Sequence, residues 1–451
     1  MAIENIENVL FDDIAPGMRY QRTHVVTGND FALFAMLGGR QDEEGRDRVP
    51  AVGAFIALTS STVNFFPGNG SILSSHALKS HGWIEEGDVL NIELFVQEKR
   101  PATKEVVMEG HCTNQRGEVL MNGPIVVIAP VEKRVSVQSE PPQLTLRQHR
   151  VFAELQNKAA QLSPIPTAVI HPCDRESLLG AIDAAEAGLI IPILVGPEAK
   201  IRAVAEKEGI ALANYRIVHT EHSVAAAEKA VELARTGEAE ALMKGSLHTD
   251  EMMRAVMASG TGLRAGRRLS HVFVMDVPAY ERPLLVTDAA INIAPTLEDK
   301  IDITQNAINL AHVLGNELPK VAILSAVETV YSKMPSTLDA ALLCKMADRG
   351  QITGGLLDGP LAFDNAISMT AAKAKKIVSP VAGQADILVV PDIEAGNMLA
   401  KQMSYFAGAD SAGIVLGARV PIVLTSRADD AKVRLASCAV MALVAHHKRS
   451  K

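Results

Sequence analysis

The feature that most constrains this sequence is a change of texture across Glu132–Arg147, EKRVSVQSEPPQLTLR. Before it, short β-rich runs are separated by turn signals. After it, apolar runs alternate with amphipathic helical stretches to the end of the chain. The break itself is polar and carries Pro141-Pro142, the composition of an exposed linker. At 451 residues the chain exceeds one ordinary core, so length and pattern agree on more than one domain. The expected division is 1–131, a linker at 132–148, and 149–451.

The first part reads as α+β. Asp30–Leu37 and Ala51–Ser61 have helical character. Val89–Glu98, Val106–Cys112 and Gly123–Ala129 are β-rich and bounded by segments such as GHCTNQRGE. The expected arrangement is an antiparallel sheet around a long central helix.

The second part reads as α/β. Strands are expected at Thr167–Ile170, Ile190–Val195, Arg216–Val218, Val272–Val274, Leu284–Val286, Val321–Leu324, Ile387–Val390 and Ile422–Leu424, with helices between. That alternation predicts a mostly parallel sheet covered on both faces. Ligands in such folds gather at the carboxyl ends of strands, in the loops that open helices.

Bulk properties narrow the function. A net charge of −8 argues against a general nucleic-acid binder, whose phosphate contacts need a basic surface. Cys112, Cys173, Cys344 and Cys438 form no CxxC pair and read as small buried hydrophobes. The start, MAIENIENVLFDDI, lacks the basic, then apolar, order of a signal peptide. The run Gly188–Gly196, GLIIPILVG, is too short for a membrane span. A cytoplasmic protein, without nucleic-acid or membrane partners, is expected.

Three groups of polar residues lie where the α/β reading puts ligand loops. In ALMKGSLHTDEMMRAVM an apolar run ends in Lys244-Gly245-Ser246, and a helix opens near His248-Thr249, with Ser246 or Thr249 as its cap and Arg254 further along. Glycine permits close backbone approach, and helix-start N–H groups attract anions. In PIVLTSR a strand ends in Thr425-Ser426-Arg427, a hydroxyl and a planar fork of donors suited to phosphate. Thr287-Asp288, Asp358-Gly359-Pro360, Asp364-Asn365 and Gly396-Asn397 with Lys401 follow strands or glycine turns. An ordinary cap explains any one of these, and the segment shows no metal-ligand spacing such as HExxH.

From about Ile165 to Ala445 the chain resembles the phosphate acetyl/butyryltransferase family. The resemblance is carried by LMKGSLHTDEMMRAVM, RRLSHVFVMD, LLVTDAAINIAPTLEDKIDITQNAI, KVAILSAVETV, LDGPLAFDNAIS, ADILVVPDIEAGNMLAKQM and GARVPIVLTSRAD. DGPLAFDNA and the SHVF segment look more like the butyryl-type branch. The resemblance implies the fold of the isocitrate and isopropylmalate dehydrogenases, two subdomains with a cleft, and a homodimer or higher homo-oligomer. It also implies a ternary complex in which coenzyme A thiolate attacks an acyl phosphate and phosphate leaves. Coenzyme A or acyl-CoA and phosphate are then substrates, with no tightly bound cofactor and no metal. The family's Ser-Arg pair falls on Ser426 and Arg427, and its helix arginine on Arg254. Lys244, Ser246, His248, Thr249, Ser270, Thr287, Asp288, Asp364, Asn397 and Lys401 are the expected substrate-binding residues. Acetyl-type members use an aspartate as base seven residues after the serine. Here Val433 stands there, with Asp429 and Asp430 closer.

Residues from about 8 to 130 resemble the MaoC-like hotdog domain of (R)-specific enoyl-CoA hydratases, through FDDIAPGMRY, FFPGNGSILSS, WIEEGDVLNIEL and CTNQRGEVLMNGPIVVIAP. The hydratase motif G-D-x-N-P-x-H-x-D falls on Gly38–Arg46. There Gly39 replaces the aspartate and Glu44 the histidine, so a degenerate hydratase is expected. The alternatives are a bifunctional enzyme with an active hydratase, or an acyl-CoA-binding or assembly module.

Overall fold

In the computed structural model, residues 5–38, 48–137, 151–425 and 429–450 are described. The chain divides into two compact units, Met1–Leu146 and Arg147–Lys451.

In the first unit, the strands Arg19–Val25, Val89–Arg100, Glu105–Thr113, Val119–Ile128 and Ile72–His76 follow one another in an antiparallel sheet, and Lys79–Ser80 also pairs with Val119–Ile128. The sequence gives Val89–Arg100 a period of two, and Leu90, Ile92, Leu94 and Val96 all turn inward and are fully or almost fully buried. The helix Val52–Asn64 presents Gly53, Ala54 and Leu58 to the core that these strands share. Gly110 gives it room: a Cβ there would stand 3.1 Å from Leu58 Cδ2. The expected helices are present as Gly28–Gly38 and Val52–Asn64. One reading changes. Val135–Val137, inside the expected linker, is a strand paired with Asn5–Glu7.

In the second unit, among the described residues, eleven strands form one sheet. Arg216–His219, Ile190–Gly196, Ile165–Ile170, Ala241–Lys244 and Ile422–Val423 are parallel neighbours in that order. Leu284–Thr287, Ile387–Val389, Lys320–Leu324 and Leu356–Leu361 form a second parallel set. Asp410–Leu416 and Ser270–Asp276 join the two sets through antiparallel pairings, so the sets run in opposite directions. The sheet is mostly parallel, as expected, with antiparallel pairings only where these two strands join the sets. Two strands escaped the sequence reading: Leu356–Leu361 contains Gly359-Pro360, and Asp410–Leu416 opens on Asp-Ser-Ala-Gly, all strand-poor residues.

Alternate residues of the central strands feed different cores. Val169 and Met243 pack with the helices Arg175–Glu186, Leu297–Val313 and Ala431–Arg449, while Ala168 and Leu242 pack with Ser223–Thr236 and Thr249–Met257. Helix starts follow capping chemistry. The side chains of Asp174, Asp392 and Asp430 accept from backbone N–H groups three residues on, and Thr296 with Asp299 forms a reciprocal box. No helix among the described residues is long and apolar enough to cross a membrane.

Leu58 is fully buried between its helix and the sheet of the first unit. Leu58→Ala is expected to destabilise that unit by about 2–5 kcal/mol, seen as a lower urea midpoint with an unchanged slope.

Candidate active site

The strand Ala241–Lys244 is buried along its whole length, and its carboxyl end lies between the ends of two parallel neighbours, Ile165–Ile170 and Ile422–Val423. The chain turns there at Gly245, where a Cβ would stand 2.3 Å from Ile170 O and 2.7 Å from His171 O. No larger residue fits that turn. Ser246 then locks it, its hydroxyl donating to His171 O at 3.1 Å while His171 Nδ1 meets Ser246 O at 3.1 Å. Ser246 is thus a brace of the turn and does not cap the helix. Nor does Thr249: the N-cap is His248, which makes no side-chain capping bond.

Lys244 is 5% exposed, and its Nζ donates to Thr425 O at 3.5 Å. Thr425, at the end of the neighbouring strand segment, accepts at Oγ1 from Arg434 Nη1 at 2.9 Å. Arg434 is also 5% exposed, although it belongs to the helix Ala431–Arg449. Its stem runs against Gly180, where a Cβ would stand 2.7 Å from Arg434 Cδ. Lys244, Gly245, Thr425 and Arg434 line a cavity of about 140 Å3 together with Asp174, Glu176 and Ser177.

Four of the expected binding residues form a second group that is occupied with holding itself together. Ser270 Oγ and Arg268 O both accept from Asn306 Nδ2. Thr287 Oγ1 donates to His271 O at 2.9 Å. Asp288, 2% exposed, accepts from the N–H groups of Ala290, Ile291 and Asn292 and from Asn292 Nδ2. Burial raises its pKa, and these hydrogen bonds oppose the rise. Asn397 Nδ2 donates to Ala289 O at 3.2 Å, and Gly396 lets its helix come close, since a Cβ there would stand 2.9 Å from Asp288 O. These side chains shape a turn.

The remaining expected residues are dispersed. Arg254 is exposed and lines a separate surface hollow of about 360 Å3 with Glu228, Glu232 and Glu251. Asp364 is exposed at the start of the short helix Phe363–Ile367, and Lys401 is exposed on Ile393–Tyr405. Ser426 and Arg427 lie outside the described residues, as do Gly39, Asp42 and Glu44. Asp430 caps its helix by accepting from Val433 N at 2.9 Å, and Val433 offers no proton acceptor. The sequence reading missed His171, Asp174 and Arg434. His171 directly follows the strand Ile165–Ile170 and Asp174 caps the helix that the same loop opens, so both were findable by the strand-end rule; Arg434 has no local signal.

Among the described residues no group of three or more His, Cys, Asp or Glu is placed to hold a metal ion. Burial pushes the Cys112 and Cys438 thiols up to about 12, which fits buried hydrophobes. Cys173 and Cys344 are half-buried.

A sheet of two opposed parallel sets, with a small pocket at strand ends that open helices, is an α/β architecture with its candidate ligand site where such folds place it. Residues 220–442 match the family described as phosphate acetyl/butaryl transferase. The phosphate acetyltransferase of Rhizobium meliloti is 65% identical over 288 residues, covering 64% of this chain and 91% of that protein. The phosphate butyryltransferase of Clostridium acetobutylicum is 43% identical over 291 residues, covering 64% of this chain and 96% of that protein. The crystal structure of a branched-chain phosphotransacylase from Enterococcus faecalis aligns with a TM-score of 0.56 at 33% identity, over 62% of this chain and 99% of that one. The chain belongs to the phosphate acetyl/butyryltransferase family and is an acyltransferase.

His271 supplies a test of the buried site in solution. It is 1% exposed, its Nδ1 has no hydrogen-bond partner among the described residues, and burial pushes its pKa down to about 3. The unfolded chain binds this proton near pH 6.5 and the folded one only near 3. The contribution is therefore fully present above about pH 6.5 and lost as pH falls towards 3, by at most about 1.4 kcal/mol per unit. His271→Gln is expected to flatten that acid limb, read as the urea midpoint from pH 7 to pH 4.

Proposed function

We propose that this acyltransferase moves a short acyl group, acetyl to butyryl, between coenzyme A and inorganic phosphate in a ternary complex. The thiolate sulfur attacks the carbonyl carbon of the acyl phosphate, a C–S bond forms, and the C–O bond to phosphate breaks. In the reverse direction a phosphate oxygen attacks the thioester and the thiolate leaves. Arg427 and Arg254 hold phosphoryl charge, Arg254 from an exposed helix face that a large anionic substrate can reach. Ser426 donates to the developing oxyanion or to the sulfur. Holding both substrates in one site makes the encounter effectively unimolecular.

The observation that carries this reading is the meeting of Lys244, Thr425 and Arg434 at adjacent strand ends, immediately before Ser426-Arg427 in sequence. A dehydrogenase-like architecture, a cytoplasmic location and a homo-oligomer belong to the same proposal. So does the absence of a tightly bound cofactor or metal.

The purified protein is expected to release thiol from short acyl-CoAs only when phosphate is present. Equal release in phosphate-free buffer would identify a thioesterase. Arg427→Ala is expected to cost about 2–3 kcal/mol of transition-state stabilisation, roughly a hundredfold in rate, with Lys rescuing partly because it lacks the planar fork.

A second reading concerns the first unit. Its antiparallel sheet around the helix Val52–Asn64 favours a hotdog-type acyl-CoA domain. With Gly39 and Glu44 at the positions of the hydratase aspartate and histidine, it is read as a degenerate hydratase with a binding or assembly role. Crotonyl-CoA is expected to remain unhydrated above background in a spectrophotometric assay. Robust hydration abolished by Glu44→Ala would establish a working carboxylate instead.

A further inference from the structure

We infer that Lys244 and Arg434 together form the oxyanion pocket of the transferase, binding the phosphate that enters as substrate and leaves as product. This inference rests on the transferase reading and names the groups that hold one of its substrates. Lys244 was expected to bind substrate; Arg434, in the interior of a helix, was not, and it is the residue added here.

Four observations point to it. Both cations are 95% buried, and they reach the same small cavity from different elements, one from a strand end and one from a helix. Both also bind one residue: Lys244 Nζ lies 3.5 Å from Thr425 O, and Arg434 Nη1 lies 2.9 Å from Thr425 Oγ1. Thr425 directly precedes the family's Ser-Arg pair. Finally, the path of the arginine is built in, because Gly180 leaves open the space that Arg434 Cδ occupies.

Charge and size then select the ligand. Placed between these cations, an oxyanion meets charges already stripped of water, where electrostatic attraction is several times stronger than at a surface. Two carboxylates, Asp174 and Glu176, share the cavity wall and offset part of this charge, but both are less buried than the two cations. Asp174 Oδ1 is held by Ser177 N at 2.9 Å and by Ser177 Oγ, while Glu176 is exposed and lies 3.9 Å from Arg175 Nη1. A volume of about 140 Å3 admits a tetrahedral oxyanion. It falls below the range of roughly 300–1,000 Å3 typical of pockets for larger organic ligands, such as the nucleotide of coenzyme A.

The test uses the full chain and three variants, Arg434→Gln, Arg434→Lys and Gly180→Ala. Steady-state kinetics give separate KM values for inorganic phosphate and for acyl-CoA, and thermal unfolding is followed with and without inorganic phosphate. Arg434→Gln is expected to raise the KM for phosphate about tenfold or more, the scale of one lost charge-assisted hydrogen bond, while the KM for acyl-CoA changes by less than about twofold. It should also abolish the thermal stabilisation by phosphate. Arg434→Lys should recover much of both. Gly180→Ala keeps the guanidinium but displaces its stem, and should move the phosphate KM in the same direction.

A raised KM for acyl-CoA with an unchanged KM for phosphate would overturn the inference and give the cavity to a phosphate of coenzyme A. Unchanged phosphate stabilisation in both Arg434→Gln and Gly180→Ala would overturn it outright. Should Arg434→Gln not fold, Gly180→Ala and Arg434→Lys decide by the same two readouts. A wild type that is stabilised by phosphate through Arg434 yet shows no phosphate-dependent transfer would sink the transferase reading and leave the pocket standing.

Discussion

Much of the second unit's chemistry depends on one close approach, the passage of Gly245 beneath the carbonyls of Ile170 and His171. A methyl group there would meet backbone oxygens at 2.3 and 2.7 Å, which no rotamer change relieves. The missing side chain lets the Lys244–Ser246 turn settle on its neighbour, and the mutual bonds of Ser246 and His171 then hold it. Only with that turn in place does Lys244 end its strand facing Thr425. The helix beginning at Thr249 also takes its position from this turn, so one atom's absence sets both a cation and a helix start.

Two kinds of polar cluster result from the same sheet. At the ends of Ala241–Lys244 and Ile422–Val423, a buried lysine and a buried arginine reach a cavity whose wall they share with Asp174 and Glu176. Around Asp288, by contrast, a buried carboxylate takes up four donors, and Asn397, Thr287 and Ser270 are each bound to backbone or to another amide. In sequence the two groups look alike, as short polar residues after strands. Burial and hydrogen bonding separate them: a satisfied Asp288 stabilises a turn, whereas converging cations favour an incoming anion.

This separation marks how far the sequence could be read. Periodicity gave the two helices of the first unit and nearly every strand of the second, because alternation and β-branched runs are local properties. It missed Leu356–Leu361, an edge strand whose aspartate, glycine and proline pair with Lys320–Leu324 alone, and Asp410–Leu416, which is held by neighbours on both sides. The reversed direction of the second parallel set was equally hidden, since strand order depends on pairings far apart in sequence. Family motifs located the glycine turn at Lys244. They did not locate Arg434, whose surroundings AKVRLASC read as an ordinary helix interior. Its partner Gly180 lies some 250 residues earlier, and only the folded chain brings the two together.

The net charge adds a further physical point. A chain of net charge −8 repels phosphate and coenzyme A at long range, and salt screens that repulsion beyond roughly 10 Å. Recognition must therefore be won at short range. A desolvated lysine and arginine in the wall of a strand-end pocket are suited to this, because the attraction grows as water is excluded while the repulsion of the surface does not. Burying the two cations is costly for folding, and the close packing of Arg434 against Gly180 is one way the fold bears it. Binding strength is then set by a few internal groups rather than by the surface. It follows that added salt, by screening this repulsion, should not slow the approach of substrates as it does for a protein relying on a basic surface patch.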